Sequence, residues 1–205
     1  HKLRCRVNDD TKSFRGILIM GKEQTRNMII VLGAGRTGTS LLMQILQKMG
    51  MTLSAEMTPA TEQNRKGGFE DREIFSLQSG IIKALNGSPL LPLPDDWLSS
   101  PSVKRFREEM TTVINNRIEE SRTIFGFKDP RTALLLPVWL KIFNRMRVVP
   151  IYILAVRNPS TTVSSLVRQY NYGKSISELF WLEKYCSAFE NIGSNCFIVH
   201  YEEWF

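Results

Sequence analysis

The residues most able to do chemistry cluster at three places, each directly after a short apolar run. The first is Gly33-Ala34-Gly35-Arg36-Thr37-Gly38-Thr39-Ser40. Glycines let a backbone turn tightly and aim several N–H groups at one anion, and a helix beginning there adds its positive end. The order strand, glycine loop, helix therefore predicts phosphate or sulfate binding. Gly33, Gly35 and Gly38 fit the dinucleotide pattern G-x-G-x-x-G, while Gly33 and Gly38 also fit the start of the Walker pattern G-x-x-x-x-G-K-[ST]. Thr39 stands where the Walker lysine belongs, which speaks against an ordinary ATPase or kinase. The cation here is Arg36, whose planar fork suits tetrahedral oxyanions.

The other two places are Lys128-Asp129-Pro130-Arg131 and Arg157-Asn158-Pro159, with Ser164 and Ser165 following the second. Each sets a cation at a strand end, then an N-cap residue, then proline at a first helical position. Each cation thus lies beside a helix N-terminus, and both fields favour an anion. Arg36, Lys128 and Arg157 gathered at one sheet edge would repel one another without an anionic partner, so the set predicts an anion site.

Positioning these residues takes alternating strands and helices. Apolar runs predict strands at 28–32, 123–127, 149–156 and 196–199. Helical periodicity predicts helices at 39–49, 71–85, 102–120, 130–143, 159–168 and 176–192. In the first helix Leu41, Leu42, Ile45, Leu46 and Met49 are expected to face inward. A polar loop spans 52–68 and a proline-rich breaker 87–94. Such alternation without hairpin signals predicts an α/β fold with a central, mostly parallel sheet between helical layers. Ligands bind beyond the carboxyl ends of strands in such sheets, where the three cation segments fall.

With 205 residues, 42% hydrophobic and 23% charged, the chain reads as one globular domain rather than a disordered polymer. Its net charge of +7 comes from 27 Lys+Arg against 20 Asp+Glu. Residues 1–28 hold seven of the bases and three of the acids. The remainder is only mildly basic, so no nucleic-acid partner is called for. Residues 1–27 read as a basic leader, tag or disordered segment, and 28–205 as the domain. Three cysteines form no CxxC pair, which predicts a reducing, cytoplasmic setting. No apolar run reaches the roughly 18–20 residues of a membrane span. No His/Cys/Asp cluster has metal-ligand spacing, so no metal is expected.

Taken together, these segments resemble the P-loop sulfotransferases. Gly35–Ser40 is similar to the family's 5′-phosphosulfate loop, [KR]-[ST]-G-T-[ST]. Arg157 and Ser165 resemble the Arg…Ser pair on the 3′-phosphate, and Lys128 resembles the lysine near the bridging oxygen. Tyr201-Glu202 is similar to the family's Tyr-Glu-Asp segment; Gly68-Phe69-Glu70 and Trp139 resemble the bacterial branch. The resemblance implies transfer of a sulfuryl group from 3′-phosphoadenosine 5′-phosphosulfate (PAPS) to a hydroxyl or amine, leaving adenosine 3′,5′-bisphosphate (PAP). Gly35, Arg36, Thr37, Gly38, Thr39, Ser40, Arg157 and Ser165 would bind the donor, with Arg36 and Lys128 also stabilising charge in the transfer. The acceptor would be a small molecule, glycan or lipid, selected by residues 52–102; the oligomeric state stays open.

The histidine base of the cytosolic branch has no counterpart, since only His1 and His200 occur and His200 reads as structural. A carboxylate base is implied, with Glu70, Glu62 and Glu56 as candidates. Glu70 equally reads as a favourable charge at a helix start, Asp129 as a cap, and Arg131 either as an acceptor contact or as an ion-pair partner. The tryptophans Trp97, Trp139 and Trp181 read as core or rim. Family members commonly continue past the point equivalent to Phe205, so a C-terminal truncation is part of the expectation. The competing readings are a P-loop nucleotide kinase or NTPase, a dinucleotide enzyme with Glu56 as ribose acid, and an inactive anion-binding remnant.

Overall fold

A computed structural model describes residues 27–60 and 67–204. The expectations for the basic leader and for Glu62 lie outside the described residues. Four strands form one all-parallel sheet: β1 (Asn27–Leu32), β2 (Phe125–Lys128), β3 (Val149–Val156) and β4 (Cys196–His200). Their order is β2-β1-β3-β4. The chain leaves β1 for one neighbour and later crosses to the other, so the switch point of the sheet lies beyond the end of β1. Among the described residues seven α-helices accompany the sheet: α1 (Thr39–Lys48), α2 (Arg72–Ala84), α3 (Pro101–Glu120), α4 (Pro130–Leu134), α5 (Leu136–Met146), α6 (Pro159–Tyr170) and α7 (Lys174–Asn191). The architecture is a three-layer α/β fold of P-loop type.

Strand β1 shows why the layers form. Its residues point alternately to the two faces, and both faces are apolar. Met28, Ile30 and Leu32 join a large core with Val103, Ile142 and Trp139. Ile29 and Val31 join a smaller core with Leu42, Met43 and Leu46 of α1. A strand apolar on both faces is stable only between two layers. In the larger core, Trp139 lies between Phe127 and Phe143, with ring centroids 4.9 and 5.6 Å away. Its indole nitrogen donates to Gln78 Oε1 at 3.0 Å, which also accepts from Thr132 Oγ1 at 3.2 Å. This fixes α2 against α4 and α5. Losing that indole should cost about 3–5 kcal/mol.

Several element expectations need correction. The helix expected over 130–143 is two helices, broken at Leu135 (φ −98°, ψ 10°). Pro137, just downstream, has no N–H for the ladder, and its ring clashes with the carbonyl four residues back. Strand β2 starts at Phe125 rather than at position 123. Thr123 instead donates its hydroxyl to the Gly50 carbonyl at 2.6 Å and meets Thr52 Oγ1 at 2.7 Å. Thr52 itself bridges the outer edge of β2 through Ile124 and Gly126. In α1, Ile45 and Met49 are 40% and 38% exposed. The side facing the sheet is set by Thr39, Leu42, Met43 and Leu46, and Met49 lies past the last helical residue.

Candidate functional site

The glycine loop leaves β1 at the switch point. Arg36 (φ 72°) and Gly38 (φ 86°) are both left-handed, a geometry that turns successive N–H groups toward one concavity. For Arg36 this conformation costs about 1 kcal/mol, a strain that surrounding contacts must hold. Gly38 has a second reason to be glycine: a Cβ there would run into the Tyr201 ring. Thr37 is fully buried and donates its hydroxyl to the Ala34 carbonyl at 2.7 Å, latching the loop from inside. Helix α1 follows with no side-chain cap. Its first N–H groups have no side-chain acceptor and no acid in the first turn, which leaves them available to an anion. Asp71, Asp129 and Asn158 cap α2, α4 and α6 with side-chain oxygens, whereas α3, α5 and α7, like α1, have no side-chain cap.

Around this loop the structure brings together residues far apart in sequence. Arg36 Nε donates to Ser165 Oγ at 3.1 Å. Arg157 Nη1 donates to the Arg36 carbonyl at 3.0 Å. Its guanidinium lies 4.2 Å from the centroid of the Tyr201 ring, and its buried Nε has no hydrogen-bond partner. Glu202, next to Tyr201, accepts from the Asn158 N–H at 2.9 Å, which fixes the turn after β3. The short 3₁₀ turn Tyr201–Trp204 thus braces both the glycine loop and Arg157. Arg36, Ser165 and Arg157 form one hydrogen-bonded group in which Arg36 is the shared member.

The second part of the site lies at the end of β2. Lys128 is the last residue of the strand, with its side chain only 4% exposed, and its ammonium is in direct contact with Glu70 Oε1. Thr58 Oγ1 donates to Glu70 Oε2 at 2.7 Å. Burial pushes the Glu70 carboxyl up, but the Lys128 charge and the hydrogen bonds from Lys128 and Thr58 outweigh it, so its pKa falls below the ordinary 4.5. Gly68 makes room for this pair, because a Cβ there would overlap the Glu70 carboxylate. The Gly68 carbonyl accepts from Ser40 Oγ at 3.0 Å, so Glu70 and the glycine loop are tied together. Of the three cations expected to form an anion site together, Lys128 has an anionic partner within the chain, Glu70.

The remaining candidates are readily placed. Asp129 Oδ1 accepts both the Arg131 N–H at 2.8 Å and Arg131 Nη1 at 2.7 Å, so it serves as cap and as ion-pair partner. Burial raises its carboxyl pKa while Arg131 opposes the rise. Arg131 also lies over the Phe75 ring at 4.1 Å. Glu56 stands apart, 69% exposed and paired with Arg72, in a separate hollow of about 1040 Å³ that contains none of the loop residues. His200 ends β4 on the surface, Trp139 is core, and Trp97 and Trp181 pack against the core.

A cavity of about 540 Å³ runs from Gly35 past Glu70 and Arg131 to Lys184. Sequence reasoning missed Lys184 and Thr58 altogether, and it missed the bracing role of Tyr201. No group of three His, Cys, Asp or Glu among the described residues could hold a metal ion. No described helix is long and apolar enough to cross a membrane.

The fold, as distinct from the site, can be compared with solved structures. A sulfotransferase domain from the olefin synthase of Synechococcus PCC 7002 superposes with a TM-score of 0.51 at 16% identity, covering 86% of this chain and 66% of that one. The chain therefore spans just under two thirds of that domain's length. A Chloroflexus aurantiacus protein that has been suggested to be a kinase superposes with a TM-score of 0.45 at 15% identity, covering 87% of each chain. No curated protein matches the chain in sequence. The model of the sulfotransferase family matches residues 28–204, nearly the whole described structure, and the chain belongs to that family.

Proposed function

We propose that this protein moves a sulfuryl group from PAPS to a hydroxyl acceptor. One observation carries the reading. Beside a helix N-terminus without a side-chain cap, Arg157 bonds the Arg36 carbonyl and Arg36 bonds Ser165, and among the described residues no acid forms an ion pair with either arginine. The orphaned Arg157 Nε and the concave loop fit a ligand with more than one anionic group. Arg157 and Ser165 would hold the 3′-phosphate, a group ATP lacks. The N–H groups of residues 35–40, with Arg36, Thr39 and Ser40, would hold the 5′-phosphosulfate. The donor supplies a sulfuryl group whose bond to the phosphate oxygen breaks in the transfer.

The chain's own contribution is charge and position. Glu70 is ionised at neutral pH, because its pKa is held below 4.5; in this reading it accepts the acceptor's hydroxyl proton from within its pair with Lys128. Accepting it removes the charge that binds Lys128. The Lys128 ammonium then becomes available to the oxygen on which negative charge develops. The ion pair thereby couples proton removal to stabilisation of the leaving group.

The test is a thermal-shift comparison of PAP, ATP-Mg and NAD. Native-state binding raises Tm by mass action, by about 2.7 kcal/mol of stabilisation at a hundredfold excess over Kd. PAP should raise Tm; a rise with ATP-Mg or NAD alone would favour the kinase or dinucleotide readings and exclude this one. Glu70→Gln should keep the PAP shift while lowering turnover about 10²-fold. Unchanged turnover would remove Glu70 as the base.

A further inference from the structure

The cavity beside Glu70 contains a cation outside the donor and transfer machinery. Lys184 of α7 is 1% exposed and lines the same 540 Å³ cavity as Glu70 and Arg131. The Pro89 carbonyl accepts from its Nζ at 2.8 Å, and the Phe180 ring centroid lies 5.1 Å away. Both partners are uncharged. Glu70, the acid that lines this cavity, is paired with Lys128, and the nearby Asp129 bonds Arg131 through Oδ1.

An ammonium carries three hydrogens, and the Pro89 carbonyl takes one. A buried charge whose direct partners are neutral is costly, and the nearby carboxylates of Glu183 and Asp129 offset only part of that cost on Lys184. Burial lowers its pKa to about 8; Arg131 adds to the fall, while Glu183 and Asp129 oppose it. An anionic group entering the cavity would take the free hydrogens and balance the charge. The nearby walls, from Leu90, Leu166, Tyr170 and Phe180, are apolar or aromatic.

We propose that Lys184 recognises an anionic group, such as a carboxylate, on an acceptor with an apolar body, and so selects what is presented to Glu70. The proposal rests on the sulfuryl-transfer reading of the same cavity. A basic side chain lining the same cavity as Glu70 would hold one end of the acceptor and leave its hydroxyl end for the base. Lys184 is thus a specificity residue rather than a catalytic one.

The probes are para-hydroxyphenylacetate and its methyl ester, which differ in a single charge. Calorimetry near neutral pH, with and without PAP, should show the acid binding about tenfold more tightly than the ester. Lys184→Met should bring the acid to the ester's affinity and leave both ester and PAP binding unchanged. Lys184→Gln, which keeps a donor for the Pro89 carbonyl, should do the same and guards against a packing defect in the first variant. Equal binding of acid and ester, no binding of the acid, or a preference that survives both substitutions would overturn the proposal. PAP affinity in the same samples is a separate readout: its absence would defeat the donor assignment whatever the acid and ester do.

Discussion

At the end of β3, Arg157 touches a backbone carbonyl and an aromatic ring; at the end of β2, Lys128 is locked to a carboxylate. Locally the two segments are the same device: a cation at a strand end, an Asx cap, a proline and a helix. Even the caps work alike, with Asp129 accepting from the Arg131 N–H and Asn158 from the Thr161 N–H. What differs is what the rest of the chain brings to each. The 52–70 segment delivers Glu70 to Lys128. The chain end delivers Tyr201 to Arg157, and the nearby Glu202 takes the Asn158 N–H. One end is left charged, fit to receive an anion from outside. The other is neutral at rest, fit to move a proton and a charge together.

The strongest way to break this comparison is Lys128→Met. It leaves Glu70 buried without its cation, which should cost about 3 kcal/mol of stability at pH 7. Transfer should fall about 10³-fold. The pH dependence should also reverse. In the native protein the folded pKa of Glu70 lies below its unfolded value of 4.5. Its contribution is therefore complete above pH 4.5 and is lost as pH falls through the folded value. Without Lys128, burial alone raises the folded pKa above 4.5, so stability should instead increase as pH drops through that raised value. Adding Glu70→Gln should restore most of the loss. Denaturant melts of both variants between about pH 4 and pH 7 are the check; a single variant as stable as the native protein would mean the pair carries no stability.

The matching experiment at the other strand end is Arg157→Ala, and the expected pattern is the opposite one. Among the described residues no carboxylate forms an ion pair with Arg157, and the nearby Glu202 carboxylate is exposed and held by the Asn158 N–H, so stability should change by no more than about 1 kcal/mol. PAP affinity should fall about 30-fold, in line with one or two charge-assisted hydrogen bonds. Calorimetry with PAP alongside a denaturant melt separates the two effects. A large stability loss with affinity intact would place Arg157 among structural contacts and erase the contrast with Lys128.

The same contrast explains what could be read in advance. The strands of the sheet were legible because β1 and β3 are apolar on both faces. The glycine loop and the helix starts were legible because their signals are local: glycine spacing, Asx caps and proline. The Lys128–Glu70 pair was not, since 58 positions separate its members and no local pattern links them. Lys184 was hidden for another reason. It falls in a helical stretch where a lysine normally reads as surface, and only the packing of α7 over Pro89 buries it. The break at Leu135 did have a signal, in Pro137, but the apolar periodicity ran straight across it.

The smallest effect sharpens the comparison most. Ser165 is 7% exposed and accepts from Arg36 Nε at 3.1 Å. Removing its hydroxyl in Ser165→Ala should weaken PAP binding about fivefold, the scale of one neutral acceptor on a charged donor. Whether it acts alone depends on connectivity. Arg157 bonds the backbone of Arg36, and Arg36 bonds Ser165, so losing either end frees the same residue. Contacts within one network do not add. The double variant Arg157→Ala, Ser165→Ala should therefore bind PAP more tightly than the product of the two single losses implies, by about fivefold. That result would mean that the charged end of the site works as one group, built on the strained Arg36. Strict additivity would mean that Arg157 and Ser165 each grip the ligand independently, and the contact between Arg36 and Ser165 would then contribute nothing to binding.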